Sequence, residues 1–290
     1  MFNGFVLTLL SFFVVVPAAR AEYFIFRIPS SFTLQAGNSD QESEFLSAGG
    51  TLTFGRNWIV SGFFERSEMP SAKNTDMRID SSGMELALSS DPLKDLSCRV
   101  SADGSEVSED VKTLGGRIAG TWARKKWMWT LELGAHQITF EDLPPRWWND
   151  ESAESTETSL SLSADWFLTK RISLRASHTV RGYDKDMSQF APQALRILLI
   201  PGEVITSVTV LNDEESSVGI AYARGRFGTS LMAHTAETAI ENLRNTGATL
   251  AADYRVFRRV TLGLQGSRVQ SEDSEEDPIH SGSLSVTSTF

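Results

Sequence analysis

Downstream of the first thirty residues, apolar side chains recur at almost every second position. Leu114, Gly116, Ile118, Gly120 and Trp122 share one parity, with Gly115, Arg117, Ala119 and Thr121 on the other. Trp127, Trp129, Leu131, Leu133 and Ala135 alternate with Met128, Thr130, Glu132, Gly134 and His136. The same pattern runs through Leu160 to Trp166 and through Ala248 to Val256. A period of two belongs to extended chain, so each run presents one apolar and one polar face. The runs are about 9–11 residues long, against about 5–6 for ordinary soluble strands. That length suits a tilted strand crossing a hydrocarbon layer.

The connections follow a pattern of their own. Short ones recur after every other strand: Arg56-Asn57, Asp91-Pro92-Leu93-Lys94-Asp95, Arg124-Lys125-Lys126, Thr169-Lys170-Arg171, Gly225-Arg226 and Phe257-Arg258-Arg259. Between them lie longer, acidic, Ser-rich stretches at residues 67–80, 103–112, 140–157, 237–245 and 270–281. A meander of hairpins puts all short turns at one end and all long loops at the other, the anatomy of a transmembrane barrel with its short turns periplasmic. Trp58, Trp122, Trp127, Trp129 and Trp166 sit on the apolar parity beside the short turns, where indole rings favour the hydrocarbon–headgroup boundary. Trp147 and Trp148 fall in a long loop and are read as packing it down.

The chain ends Ser-Gly-Ser-Leu-Ser-Val-Thr-Ser-Thr-Phe, with Leu284, Val286, Ser288 and Phe290 on the outward parity. This segment resembles the last strand of bacterial outer-membrane β-barrel proteins, porin-like in architecture and of no particular subfamily. The resemblance implies an outer-membrane location, contact with outer-membrane lipid and lipopolysaccharide, and Phe290 as the signal read by the barrel-assembly machinery.

At the other end, Phe5 to Val16 is a run of 12 residues interrupted only by Thr8 and Ser11. Pro17 breaks it, and Ala19-Arg20-Ala21 places small side chains at the −3 and −1 positions of a cleavage site. Residues 1–21 therefore read as a cleaved export signal, although Met1 to Gly4 carries no Lys or Arg, and residues 22–290 read as one barrel domain. Net charge of −10 argues against a nucleic-acid partner. A single cysteine, Cys98 on the apolar parity, excludes an internal disulfide and any cysteine-built metal centre.

Six hairpins at 48–66, 82–102, 113–138, 158–181, 217–236 and 246–269, an opening strand near 31–37 and a closing strand at 282–290 give 14 strands in an all-β, antiparallel, up-and-down transmembrane β-barrel. The apolar stretch at 194–211 is either a seventh hairpin, making 16, or part of a long loop; 12 also stays open.

The inward parity collects Glu65, Glu85, Arg99, Arg117, Glu132, His136, Asp165, Arg175, His234, Asp253 and Arg255. Such groups can line water or pair across it, whereas facing lipid would cost about 2–4 kcal/mol each. Both signs occur, so strong ion selectivity is not expected. Arg171, Arg175 and Arg181 fall on one polar face as a ladder that either attracts anionic solutes or pairs with acids on neighbouring strands. The acidic runs Asp213-Glu214-Glu215 and Glu272 to Asp277 lack calcium-loop spacing and read as solvated loops. His136, His178, His234 and His280 show no metal spacing, and no nucleophile elbow, P-loop or dinucleotide fingerprint occurs. No catalytic residue, metal or cofactor is assigned. The functional expectation is passive diffusion of small hydrophilic solutes, with loops 140–157 and 182–203 setting access. The alternatives are a non-conducting barrel that assists export or modification of surface polymers or proteins and, further behind, a membrane hydrolase using His178.

Overall fold

The computed structural model describes residues 30–39, 43–54, 58–71, 74–93, 95–107, 111–140, 154–185, 212–239, 244–271 and 278–290. The segment 1–21 read as an export signal, Trp147 and Trp148, the apolar stretch 194–211 and the acidic run Glu272 to Asp277 lie outside them, as do most of loops 140–157 and 182–203.

The alternating runs fold into 14 strands. The first seven are β1 (Ser31–Ser39), β2 (Glu44–Phe54), β3 (Trp58–Ser71), β4 (Asn74–Leu93), β5 (Leu96–Val107), β6 (Val111–Arg124) and β7 (Trp127–Phe140). They continue as β8 (Glu154–Phe167), β9 (Ile172–Tyr183), β10 (Asn212–Arg224), β11 (Phe227–Thr238), β12 (Arg244–Phe257), β13 (Val260–Ser271) and β14 (Ile279–Thr289). Each strand pairs antiparallel with its sequence neighbours, and β1 pairs with β14 from Ser31↔Thr289 to Ser39↔Ser281, which closes the barrel. Closure leaves no edge strand with unsatisfied backbone groups, the condition for a sheet to cross a hydrocarbon layer. Because β9 pairs directly with β10, from Tyr222↔Ile172 to Glu214↔Val180, the ring counts 14 strands and not 16.

The side-chain distribution is inverted relative to a soluble protein. Twenty polar or charged described residues are buried against nine apolar ones, while Leu114, Leu264 and Met84 are 64–70% exposed on the outer wall. Only a hydrocarbon layer can cover such a surface without the penalty of wetting it. The parity expected from sequence is the parity observed, because one register step would turn every leucine inward.

The strands run further than the apolar pattern suggested. Residues 67–71 and 74–80 continue the β3–β4 hairpin, paired as far as Ser71↔Asn74, and β5 and β6 meet at Val107↔Val111. Beyond the hydrocarbon both faces of a strand meet water, so hydrophobic alternation stops while the backbone ladder continues. At the short-turn end, Gly225 turns with φ 64°, which glycine adopts freely, and Lys125 with φ 54°. At the other end Asp184 ties β8 to β9: its carboxylate accepts the Thr156 N–H at 2.7 Å and the Ser155 hydroxyl at 2.9 Å. The backbone donor, chiefly, holds the Asp184 carboxyl below its ordinary range.

Candidate functional site

The barrel's inner wall divides into two halves. From β4 to β10 it carries ion pairs; from β11 through β14 and β1 to β3 it carries mostly hydroxyls and amides. The division follows directly from which strands received charge at inward positions.

The charged half is organised by register. Glu85 stands opposite Asp103, Asp103 opposite Gly115, Gly115 opposite His136, and His136 opposite Glu157. Four ionisable side chains thus share one row across five strands, β4 to β8, with Gly115 as the gap in it. Arg117, two residues nearer the short-turn end of β6, reaches Glu85 Oε2 at 2.5 Å, Asp103 Oδ1 at 3.5 Å and Glu132 Oε1 at 3.5 Å. Arg99 donates to the second Glu85 oxygen. The imidazole of His136 spans the row, with Nε2 3.3 Å from Asp103 and Nδ1 3.5 Å from Glu157. Arg181 continues it, 3.6 Å from Glu157 and 3.3 Å from Glu215. Charges this close in a buried setting must be matched in sign, and here each cation touches at least one carboxylate.

The His136 ring has room because the neighbouring wall has no side chains there. A Cβ on Gly115 would fall well inside contact with the His136 ring, and one on Gly134 would meet Ser159 Oγ at 2.5 Å and Arg117 Cγ at 3.0 Å. Lower on the same wall, Arg175 holds Asp165 by two parallel bonds, Nε–Oδ1 at 2.6 Å and Nη2–Oδ2 at 3.0 Å, the fork geometry that suits a guanidinium.

The other half is built of hydroxyl pairs across strands: Ser31 with Thr51 at 2.9 Å, Thr33 with Thr287 at 2.8 Å, and Gln35 donating to Ser283 at 2.9 Å. Glu65 on β3 and Asp253 and Arg255 near the short-turn end of β12 are its exceptions. His234 leans over Gly247 on this side.

Among the residues singled out from sequence, Arg99, Arg117, Glu132, His136 and Arg181 meet in the belt, Asp165 and Arg175 form a separate pair, and Asp253 and Arg255 stand apart. Arg171 corrects the expectation of a ladder. It lies exposed in the β8–β9 turn, where Thr169 Oγ1 accepts its backbone N–H at 3.0 Å, and is no part of the inner wall. A residue in a turn has left the strand's parity, so the spacing from Arg175 carries no orientation. Asp103, Glu157 and Glu215 belong to the belt although their positions suggested loops. Parity would have found the first two: Asp103 continues Arg99 and Ser101, and Glu157 continues Asp165, Ser163, Ser161 and Ser159.

On the outer wall, His178 Nδ1 lies 2.8 Å from Ser216 Oγ. Among the described residues no third group orients the ring from its other nitrogen, so the pair lacks the part that makes a serine nucleophilic in a triad.

No protein-family model matches the chain, and no curated protein matches it. Among solved structures, the CymD monoaromatic hydrocarbon channel superposes with a TM-score of 0.59 at 10% identity, covering 95% of this chain and 91% of that one. A Pseudomonas aeruginosa FadL homologue gives a TM-score of 0.54 at 10% identity, covering 94% and 92%. At such identities the likeness is one of fold. This chain has the closed β-barrel architecture of bacterial outer-membrane channels.

Proposed function

We propose that the protein resides in the bacterial outer membrane, after removal of residues 1–21, and passes small hydrophilic solutes by passive diffusion. The observation that carries this reading is a closed barrel whose inner wall is predominantly polar, with a carboxylate beside every belt arginine. The similarity in fold to a hydrocarbon channel supports a channel, while the hydroxyls and ion pairs of this inner wall favour a water-soluble solute. Arg99, Arg117, Glu132, His136, Asp165, Arg175, Arg181, Asp253 and Arg255 line the pathway, and loops 140–157 and 182–203 control access to it.

Because every belt arginine has a carboxylate beside it and both signs interleave along the wall, no strong field of one sign runs along the pathway. Purified protein in a planar bilayer is expected to give steps of one defined size, with a reversal potential close to zero under a salt gradient. Strong anion or cation selectivity would contradict a wall of interleaved signs. Silence from a folded barrel would instead support the non-conducting reading, which the burial of Glu85, His136 and Glu157 to 5% exposure or less favours. That barrel would assist export or modification of surface polymers or proteins.

Phe290, 62% exposed at the end of β14 with its N–H donating to Ser30 O at 2.9 Å, serves the assembly machinery in this reading. Deleting it is expected to reduce the amount of heat-modifiable barrel in cells several-fold. An undiminished level would remove that role.

A further inference from the structure

The short turns hold more charge than a diffusion channel needs. Arg124, Lys125 and Lys126 form the β6–β7 turn and its approach; the turns after β8, β10 and β12 add two basic side chains each, nine in all. All nine are exposed, none forms an ion pair among the described residues, and no Asp or Glu stands in these four turns. The opposite rim mixes both signs, with Asp80 3.6 Å from Arg66, Glu106 3.5 Å from Lys112 and Glu237 opposite Arg244, while at the basic end the β4–β5 turn carries Asp91 and Asp95. A molecule of net charge −10 therefore carries a concentrated positive rim at one end.

Directly beside that rim, on the lipid-facing parity, lies a patch of indoles. Trp127 stacks on Trp166 with centroids 5.1 Å apart and planes 3° from parallel, and on Trp129 at 5.8 Å and 14°. Trp129 pairs across the ladder with Trp122. Lys126 and Trp127 are consecutive, so cation and indole come from the same turn of chain. Tryptophan marks the depth of the headgroups, and the cations project one step further from the hydrocarbon, where a lipid phosphate sits.

Nine like charges with no ion-pair partner among the described residues repel one another, and the repulsion persists unless anions lie among them. We infer that the four basic turns from β6 to β13, with the Trp122–Trp127–Trp129–Trp166 patch, form a contact surface for anionic glycerophospholipids of the periplasmic leaflet. This rests on the membrane-spanning reading, in which the short turns face the periplasm. The surface selects a phosphate that lacks a compensating ammonium, so a phosphatidylglycerol headgroup fits and a zwitterionic phosphatidylcholine headgroup does not. Its consequence is a barrel held at fixed depth and orientation by charge on one side only.

The test uses the girdle's own tryptophans. Full-length protein is refolded into phosphatidylcholine vesicles containing either brominated phosphatidylglycerol or brominated phosphatidylcholine, and quenching of tryptophan fluorescence gives the relative association of the two lipids. We expect the anionic lipid to be favoured about threefold or more at low salt, given the typical attraction of a basic cluster to an anionic surface. The ratio falls toward one in high salt, which screens the attraction. It falls likewise in a variant combining Lys126→Gln, Lys170→Gln, Arg226→Gln and Arg258→Gln, none of which alters a residue with positive φ. A ratio of one in the unaltered protein overturns the inference and points to an acidic macromolecule as the rim's partner; so does a preference that the variant keeps. A heat-modifiable band on gels reports folding of both proteins. Its absence from the unaltered protein would overturn the membrane-spanning reading, and the inference with it.

Discussion

Glu85→Gln is expected to destabilise the barrel by about 3 kcal/mol, near the lower end of the cost of removing one partner from a buried ion pair. The Glu85 side chain is only 2% exposed, and its two oxygens serve Arg99 and Arg117 separately. Glutamine keeps the shape and removes the charge. Two guanidinium groups are then left facing a neutral amide, and Arg117, 6% exposed, cannot turn to water. Asp103 and Glu132, each 3.5 Å from Arg117, compensate in part, which is why the cost stays near 3 kcal/mol. Urea unfolding in lipid vesicles would measure it. Arg66→Gln supplies the comparison, since Arg66 is 58% exposed and pairs with Glu68 and Asp80 at 3.5–3.6 Å. Exposed pairs of this kind contribute about 0–1 kcal/mol. Equal effects of the two substitutions would show that the belt does not hold the wall together. In a conducting barrel, Glu85→Gln should also move the reversal potential toward anions, because it removes one negative charge from the belt.

The second large effect is expected at a residue with no side chain. Gly115 sits in the row between Asp103 and His136, and the imidazole occupies the space its Cβ would need. The ring cannot easily yield, being held between Asp103 on one side and Glu157 on the other. Ala135 O lies against the same point, so backbone blocks the other route. Gly115→Ala should therefore cost about 1–3 kcal/mol, the usual range for overpacking, although it adds one methyl group. His136→Ala opens the space, and the double variant should be more stable than the sum of the single effects predicts. Gly120→Ala, on the outward parity of the same strand with nothing within 4 Å of the new Cβ, should stay within about 0.5 kcal/mol of the parent. Unfolding midpoints of these four proteins decide the matter. Additive costs for Gly115→Ala and His136→Ala would show that the ring does not use the space.

Both effects come from residues whose orientation is legible in the alternation of the chain and whose partners are not. A strand's parity is local: Arg117 and His136 must point inward once Ile118 and Ala135 point outward, whatever lies across the barrel. Hairpin partners are legible too, because a short turn such as Lys125-Lys126 fixes the register of the strands it joins. The triple engagement of Arg117 depends on how far β4 and β5 have slid past β6. That offset is set by connections such as 108–110, where no turn chemistry fixes it, so Glu85 and Asp103 could not be matched to Arg117 from spacing. The extent of β5 and β8 escaped for a related reason. Asp103 and Glu157 lie where polar composition resembles a loop, and only pairing to Gly115 and His136 shows that the ladder continues.

Neighbours along the chain are enough to specify the all-β class, the alternating strands with their inward and outward faces, and the two chemically different ends of the barrel. Each of these rests on alternation, on turn residues, or on charge near a turn. The belt running from Glu85 through Arg117 and His136 to Glu215 emerges only when the ring is assembled, as does the glycine gap that admits the imidazole. These depend on the stagger of successive strands across the longer connections, which assembly of the ring fixes and no local pattern encodes.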